Sequence, residues 1–232
     1  MRRLILPFLL TCLLVSCSVT ERLSLSESVE QKSTASVEVS DFFIDVAADF
    51  DEFNDPANPR ISFQRLMEEI RDSLQYSGST YDVTLNENDG HHDTLSFSFP
   101  DIQSLFEAFG GEAQDILLVD DKTLVMHLGM DNWEQMEKIV PLLADDHFQP
   151  FGPRYNQGMS AEEYGEMLDF MLGDGASDDL QKSTVSLTIH TPADITWCRN
   201  MTQKTGTEAT LTFPLVDLLL LAEPIEAELS WR

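Results

Sequence analysis

Short segments in which apolar and polar residues alternate recur along this 232-residue chain, and tight turns join them. In residues 94–99, Leu95, Phe97 and Phe99 alternate with hydroxyl side chains. Since successive side chains of a strand point to opposite faces, this period of two predicts strands with one buried face. The turn NENDG before this segment predicts a hairpin with a strand over residues 80–85. The same pattern predicts further strands over residues 37–50, 116–119, 123–128, 185–189, 209–213 and 225–231.

Amphipathic helices are predicted between these strands. Ser62 opens a segment whose apolar residues, Met67, Ile70 and Leu74 among them, recur at the helical spacing. A short helix is predicted after Asp101, and residues 173–179 are expected to form a loop. The fold class that follows is α+β, a mostly antiparallel sheet with several packed amphipathic helices. Two further helices are predicted from capping boxes, at Asp131 with Glu134 and at Ser160 with Glu163.

No linker-like stretch divides the body of the chain, so residues 37–232 are predicted to form a single domain. The helix over residues 160–172 is a candidate insertion into that domain. The apolar run LVDLLLLA is too short to cross a bilayer, which takes about 20 residues, and it contains Asp217. We therefore expect this run to be an element of the core.

The amino-terminal residues 1–16 have the pattern of an export signal. Arg2 and Arg3 give a positive start, and the apolar stretch that follows spans about a dozen residues, which suits a cleavable signal peptide. The stretch ends in Leu14-Val15-Ser16-Cys17, which resembles the lipobox of bacterial lipoproteins. That resemblance implies cleavage before Cys17, diacylglyceryl transfer to its thiol and acylation of the new amino terminus. Two or three acyl chains anchor a protein stably in a membrane.

Residues 17–36 are rich in Ser, Thr and Glu, and they are predicted to be the lipidated amino terminus followed by a flexible tether. Ser18 stands where an aspartate signals inner-membrane retention in many Gram-negative lipoproteins. The resemblance places the protein in a bacterial cell envelope, with the domain outside the cytoplasm. A lipid anchor on Cys17 makes the membrane its expected partner.

The charge of the chain is strongly negative, with 41 acidic and 14 basic residues and a formal net charge of −27. Removal of residues 1–16, whose only charges are Arg2 and Arg3, changes this value to −29. A surface of this charge repels phosphate backbones, so no nucleic-acid partner is expected. An acidic coat that maintains solubility explains the composition without a specific ligand.

Candidate catalytic residues are few. Cys12 lies in the leader, which leaves Cys198 as the mature thiol besides Cys17, too few for a disulfide framework. A nucleophilic role for Cys198 requires the fold to bring it to His190 or His127. An inert, half-buried cysteine beside Trp197 is the alternative. The chain has no G-x-S-x-G motif and no phosphate-binding glycine loop.

Three acidic segments are candidates for a metal site. His91 and His92 are neighbours, and adjacent residues of a strand point to opposite faces, which disfavours shared ligation. Asn88-Asp89-Gly90 is also an ordinary hairpin turn. The other two segments, Asp49 to Asp55 and Asp174 to Asp179, lack a glycine at the turn position and the distal glutamate of an EF-hand loop. We therefore expect no metal site and no cofactor.

The carboxyl-terminal portion, LTIHTPADI and TLTFPLVDLLLLAEPIEAELSW, resembles that of uncharacterised bacterial lipoproteins, including spirochaete examples and the LppM-like domain. The resemblance implies a β-rich sheet with a few helices, and it implies no ligand. The expected function is that of a membrane-anchored, non-enzymatic lipoprotein that displays an α+β domain for binding or envelope interaction. A lipid- or small-molecule-binding lipoprotein is the alternative, and an exported hydrolase is a further one.

Overall fold

The structure is a computed structural model, and it describes residues 17–25, 31–39, 60–87, 92–111, 116–139 and 149–232. Within these ranges the chain forms eleven strands and six α-helices. The strands are β1 (Cys17–Ser24), β2 (Gln31–Val39), β3 (Tyr81–Glu87), β4 (His92–Phe99), β5 (Leu117–Asp120), β6 (Thr123–Leu128), β7 (Thr184–His190), β8 (Ile195–Arg199), β9 (Thr202–Gln203), β10 (Glu208–Pro214) and β11 (Ile225–Trp231). The helices are α1 (Arg60–Tyr76), α2 (Ile102–Ala108), α3 (Trp133–Ile139), α4 (Ala161–Leu172), α5 (Ala176–Lys182) and α6 (Leu215–Leu220).

The strands form two sheets. The larger sheet has seven strands in the order β3-β4-β2-β1-β7-β10-β9, and the smaller has four in the order β5-β6-β11-β8. The contact between β1 and β7 is parallel, and the other strand pairs are antiparallel. The predicted α+β class with a mostly antiparallel sheet is confirmed.

One cluster of buried apolar side chains includes residues of both sheets and of the helices. Leu95, Phe97 and Phe99 of β4 are buried, as the alternation predicts. The helix stripe at Met67, Ile70 and Leu74 is buried as well. Burial of this apolar area is the main favourable term in folding, at about 25 cal/mol per Å².

The prediction that residues 17–36 form a flexible tether is wrong. Its residues form β1 and much of β2, and β1 lies between β2 and β7 in the larger sheet. Val19, Leu23, Ala35 and Val37 are buried on one side of these strands. Most of the polar residues that suggested a tether lie on the opposite, outward side, and Glu21 and Ser33 are buried exceptions. The folded domain therefore includes β1, ahead of the predicted boundary at residue 37.

The structure differs from the predicted elements at two other places. Residues 176–182 form α5, where a loop was expected up to residue 179, because Ala176 and Leu180 are buried on one side. The helix that was predicted to be capped by Asp131 is α3, which begins at Trp133, and the Asp131 carboxylate instead faces the ring of His127. Of the strand predicted over residues 37–50, the structure shows the end of β2, and residues 40–50 lie outside the described ranges.

The remaining helix predictions are confirmed where they can be compared. α4 has the predicted capping box between Ser160 and Glu163. α2 begins after Asp101, whose side chain accepts a hydrogen bond from the amide of Ser104. The run LVDLLLLA contributes the buried helix α6, as expected for a core element. In the part of the chain that is described, no helix is both long enough and apolar enough to cross a membrane.

Candidate functional site

The predicted lipidation residue, Cys17, is the first residue of β1, and its Cα pairs with that of Val39 on β2. Residues 1–16, with the leader and the rest of the lipobox, lie outside the described ranges. Lipidation of Cys17 therefore stays a prediction. The structure adds that no spacer separates this position from the larger sheet.

The histidine-containing segment after β3 does not form a shared site among its described residues. His92 is half-buried on the outward side of β4, with Nε2 3.5 Å from Oε2 of Glu38. Asp93, the next residue, points into the core and is 1% exposed. His91 and Asp89 lie outside the described ranges.

Of the other two acidic segments, one lies within the described residues. Residues 49–55 lie outside the described ranges. Asp178 and Asp179 lie in the first turn of α5, where a helix favours negative charge, and Asp179 is 3.8 Å from Nζ of Lys182. Throughout the described ranges, no three His, Cys, Asp or Glu side chains are grouped so that they could hold a metal ion.

Cys198 and the two histidines considered with it have separate neighbours. The Sγ atom of Cys198 on β8 is 3.6 Å from the carbonyl oxygen of Met201. His190 ends β7 in the larger sheet, with Nε2 3.5 Å from Oγ1 of Thr207. His127 lies on β6 in the smaller sheet and contacts two carboxylates. These contacts favour the interpretation of Cys198 as an inert, half-buried cysteine.

The carboxylates around His127 come from two different parts of the chain. Glu226 lies directly across from His127 in the pairing of β6 with β11, and its Oε1 is 3.2 Å from Nδ1. Asp131 follows in the turn after β6, and both of its carboxylate oxygens are 3.1 Å from Nε2. Arg199 on β8 adds contacts of 3.3 Å to Glu226 and 3.5 Å to Glu228. We call this set of charged side chains on the outward side of the smaller sheet the ion network; it comprises His127, Asp131, Arg199, Glu226 and Glu228.

The turn after β6 holds Asp131 in place. The Asn132 side chain accepts a hydrogen bond from the amide of Gly129 at 2.9 Å and donates one to the carbonyl of His127 at 2.8 Å. A Cβ atom on Gly129 would lie 2.6 Å from Oδ1 of Asp131, so a larger residue at this position would require the carboxylate to shift. The contact between Asp131 and His127 therefore depends on the glycine.

The chemical character of the network follows from the two carboxylates. The hydrogen bond to Asp131 is the largest cause of the raised pKa of His127, and Glu226 acts in the same direction. The same contact lowers the pKa of Asp131. An imidazole hydrogen-bonded to carboxylates on both nitrogens is stabilised as the cation, in which both nitrogens donate. Both ring nitrogens are therefore already occupied by carboxylates of the protein itself.

The outward side of the larger sheet is lined by short hydroxyl side chains, and we call this surface the hydroxyl face. It comprises the outward residues of β4, β2, β1, β7 and β10. Hydroxyl groups on neighbouring strands hydrogen-bond to each other in four pairs, Ser36 with Thr94 (3.2 Å), Thr34 with Ser96 (3.2 Å), Ser186 with Thr212 (3.1 Å) and Thr188 with Thr210 (3.0 Å).

The hydroxyl face differs in charge from the chain as a whole. Its outward residues on β2, β1, β7 and β10 include two acidic side chains, Glu38 and Glu208, and two basic ones, Arg22 and Lys32. Arg22 and Glu208 form an ion pair across β7. The face is thus close to neutral in a protein of net charge −27. Its hydrogen-bonding groups suit contact with a polar partner or surface.

Comparison with known proteins gives little further information. No protein-family model matches the chain. No curated protein matches it. Among solved structures, the chain is similar to the NMR structure of the folded domain of the Mycobacterium tuberculosis LppM protein, with 10% sequence identity and a TM-score of 0.39, over 94% of this chain and 90% of that chain. LppM-like domains are among those that the carboxyl-terminal portion resembles. A likeness at this level carries no argument about function.

Proposed function

We propose that this protein is an acidic bacterial lipoprotein, anchored in a membrane through acyl chains on Cys17, that displays a non-enzymatic α+β domain for binding or envelope interaction. The observation that carries the proposal is the sequence Leu14-Val15-Ser16-Cys17 directly after a short apolar stretch with a positive start. The domain lies outside the cytoplasm, in the cell envelope.

The position of β1 is compatible with this processing. The proposed cleavage site and the first residue of β1 are both at Cys17, so a chain cleaved there keeps every strand of the larger sheet that the structure describes. Because β1 packs inside the sheet, the domain would stand directly at the bilayer surface without a spacer.

A binding role is supported by the surfaces of the domain. The hydroxyl face is a nearly neutral, hydrogen-bonding surface in a strongly acidic protein. In the ion network, both nitrogens of His127 are hydrogen-bonded to carboxylates, which favours its protonated form. Cys198 contacts a backbone carbonyl. None of these arrangements places a nucleophile beside a base, and they therefore favour a binding domain over an exported hydrolase.

The anchor is tested by expressing the chain in a bacterium that is fed an alkyne analogue of palmitate. The wild type and Cys198→Ala, the matched cysteine control, should take up the label, lose the leader and sediment with membranes. Cys17→Ala should remain unlabelled and unprocessed. Processing of Cys17→Ala at the same site, with retention in the membrane fraction, would show that the lipoprotein proposal is wrong.

A further inference from the structure

One helix presents apolar side chains to solvent. On α4, Phe170 is 91% exposed and Met171 is 45% exposed, and Met167 is partly buried at the edge of the core. These three residues have the spacing i, i+3 and i+4, so they form one strip along the helix surface. We call Met167, Phe170 and Met171 the Met–Phe strip.

The strip lies on the side of α4 away from α5. The Asp169 carboxylate accepts hydrogen bonds from the amide and the hydroxyl of Ser177 on α5, at 2.9 and 2.6 Å. Gly165 also faces α5, because a Cβ atom there would lie 3.0 Å from Cβ of Ser177. A helix turns by about 100° per residue, so Met167 points almost opposite to Asp169. α5 therefore covers the opposite side of α4 and leaves the strip exposed.

The helix that carries the strip is held rigidly. Ser160 and Glu163 close a capping box at its start. The hydroxyl of Tyr164, which is fully buried, donates a hydrogen bond of 2.7 Å to the carbonyl of Phe151. The hydrogen bonds that Ser177 donates to the Asp169 carboxylate fix the last turn of α4. A preorganised helix loses little conformational entropy when a partner binds, which favours affinity.

Phe170 contributes almost nothing to the core in this position. Burial of a phenylalanine side chain stabilises by about 1.5–3 kcal/mol, and that free energy is not gained while the ring is exposed. Aromatic side chains at the centre of an apolar contact, surrounded by polar groups, are the usual binding hot spots. Methionine side chains adapt to the shape of the surface that they contact.

The charges beside the strip indicate the kind of partner. Glu163 and Glu166 are exposed on the same side of α4 as Phe170, at the helical spacings of seven and four residues. The chain as a whole is strongly negative. A second copy, or an anionic lipid surface, is therefore repelled. A partner helix with apolar residues on one side and lysine or arginine beside them matches both features.

We propose that the Met–Phe strip of α4 docks a cationic amphipathic helix of another protein, with Phe170 as the central contact and with Glu163 and Glu166 paired to its basic residues. This inference specifies the partner of the binding domain in the proposed function, and it does not depend on the lipid anchor.

The test uses the full chain, in phosphatidylcholine nanodiscs if it carries a lipid and in buffer if it does not. The probe is a fluorescent peptide of about two heptads, with leucines on one face and lysines elsewhere, and its binding is measured by anisotropy. Phe170→Ser should weaken binding by at least about tenfold. The matched control is Tyr76→Ser, which removes another exposed aromatic, on α1, and should leave binding unchanged.

Four results would overturn the proposal. Equal binding by Phe170→Ser and the wild type would mean that general acidity attracts the peptide. Equal binding of a peptide with glutamate in place of lysine would remove the charge requirement. Self-association that Phe170→Ser abolishes would identify a second copy as the occupant. Phe170-dependent binding to vesicles with anionic lipid would identify a membrane instead. Because acylation is measured separately with the palmitate label, loss of the anchor cannot be mistaken for failure of this docking.

Discussion

The hydroxyl of Ser33 on β2 donates a 3.0 Å hydrogen bond to Oε1 of Glu21 on β1, inside the core side of the larger sheet. The second carboxylate oxygen, Oε2, is buried and has no hydrogen-bond partner among the described residues. Burial disfavours the charged carboxylate and raises the pKa of Glu21 to about 7, while the bond from Ser33 acts in the opposite direction. A glutamate thus occupies a position where the neighbouring inward residues of β1 are apolar.

This pair predicts a pH-dependent stability. The folded chain binds the Glu21 proton more tightly than the unfolded chain, whose pKa is near 4.5. The contribution of Glu21 is therefore most favourable below about pH 4.5 and declines as the pH rises to about 7, by up to roughly 3 kcal/mol. Glu21→Gln mimics the protonated form, so it should be more stable than the wild type at about pH 8 and similar at about pH 4. Urea denaturation at both pH values measures the difference.

The control for this prediction is Glu38→Gln, which removes a negative charge from an exposed side chain on the outward side of β2. The stability difference between Glu38→Gln and the wild type should not show the change between about pH 4 and about pH 8 that is expected for Glu21→Gln. A difference between Glu21→Gln and the wild type that is the same at both pH values would contradict the assignment of the proton to Glu21.

The placement of β1 inside the sheet predicts that its apolar residues are needed for folding. Leu23 is 4% exposed, and Leu23→Ala should lower the free energy of unfolding by about 2–5 kcal/mol because it leaves a cavity. Thr20→Ala, on the exposed side of the same strand, should change it by less than about 0.5 kcal/mol. A tether would make both changes neutral, and chemical denaturation of the two variants distinguishes these outcomes.

The close contact of α4 with α5 predicts that Gly165 cannot be replaced by a larger residue. Gly165→Val should lower the free energy of unfolding by about 1–3 kcal/mol, because its Cβ would lie 3.0 Å from that of Ser177 and its methyl groups would add to the crowding. Glu166→Val, on the exposed side of α4, causes no crowding and carries a propensity cost of about 0.5 kcal/mol, a cost that replacing glycine by valine does not have. Similar losses in the two variants would argue against close packing of the helices.

The network at His127 predicts a titration that can be followed by NMR. Asp131→Asn should lower the pKa of His127, because Asp131 is the largest cause of its increase. Glu228→Gln, which removes a partner of Arg199, should change this pKa less. The wild-type contribution to stability is present below the unfolded pKa of 6.5 and is lost as the pH rises through the folded value. An unchanged His127 titration in Asp131→Asn would show that this carboxylate does not hold the proton.

Periodicity predicted the elements whose apolar residues repeat regularly. The stripe of α1 and the alternation of β11 were recognisable because each element buries one continuous side. β1 was missed because Glu21 interrupts its apolar alternation and its outward residues are Ser, Thr and Arg. The short helix α5 buries two residues, Ala176 and Leu180, too few for a periodic signal.

The candidate sites were harder to predict, because they depend on strand pairing. His127 and Glu226 are 99 residues apart in sequence and meet only through the register of β6 with β11. The hydroxyl face likewise combines Ser and Thr residues from five strands, and each strand alone resembles an ordinary polar segment. In contrast, the opposite directions of His92 and Asp93 could be predicted, since they follow from the pleat of one strand.

The parallel pairing of β1 with β7 places a demand on the order of folding. Val19 pairs with Val185, so β1 has both of its edges paired only after the chain has been synthesised as far as β7, which ends at His190. Contacts between such distant residues slow folding and leave edges exposed to other chains in the meantime. An amino terminus tethered to lipid would spend this interval beside the bilayer, where unpaired Val19 and Leu23 are most exposed to unwanted contacts. If the chain is exported as we propose, its folding requires either rapid delivery of its last third or a second protein that covers β1 until β7 arrives.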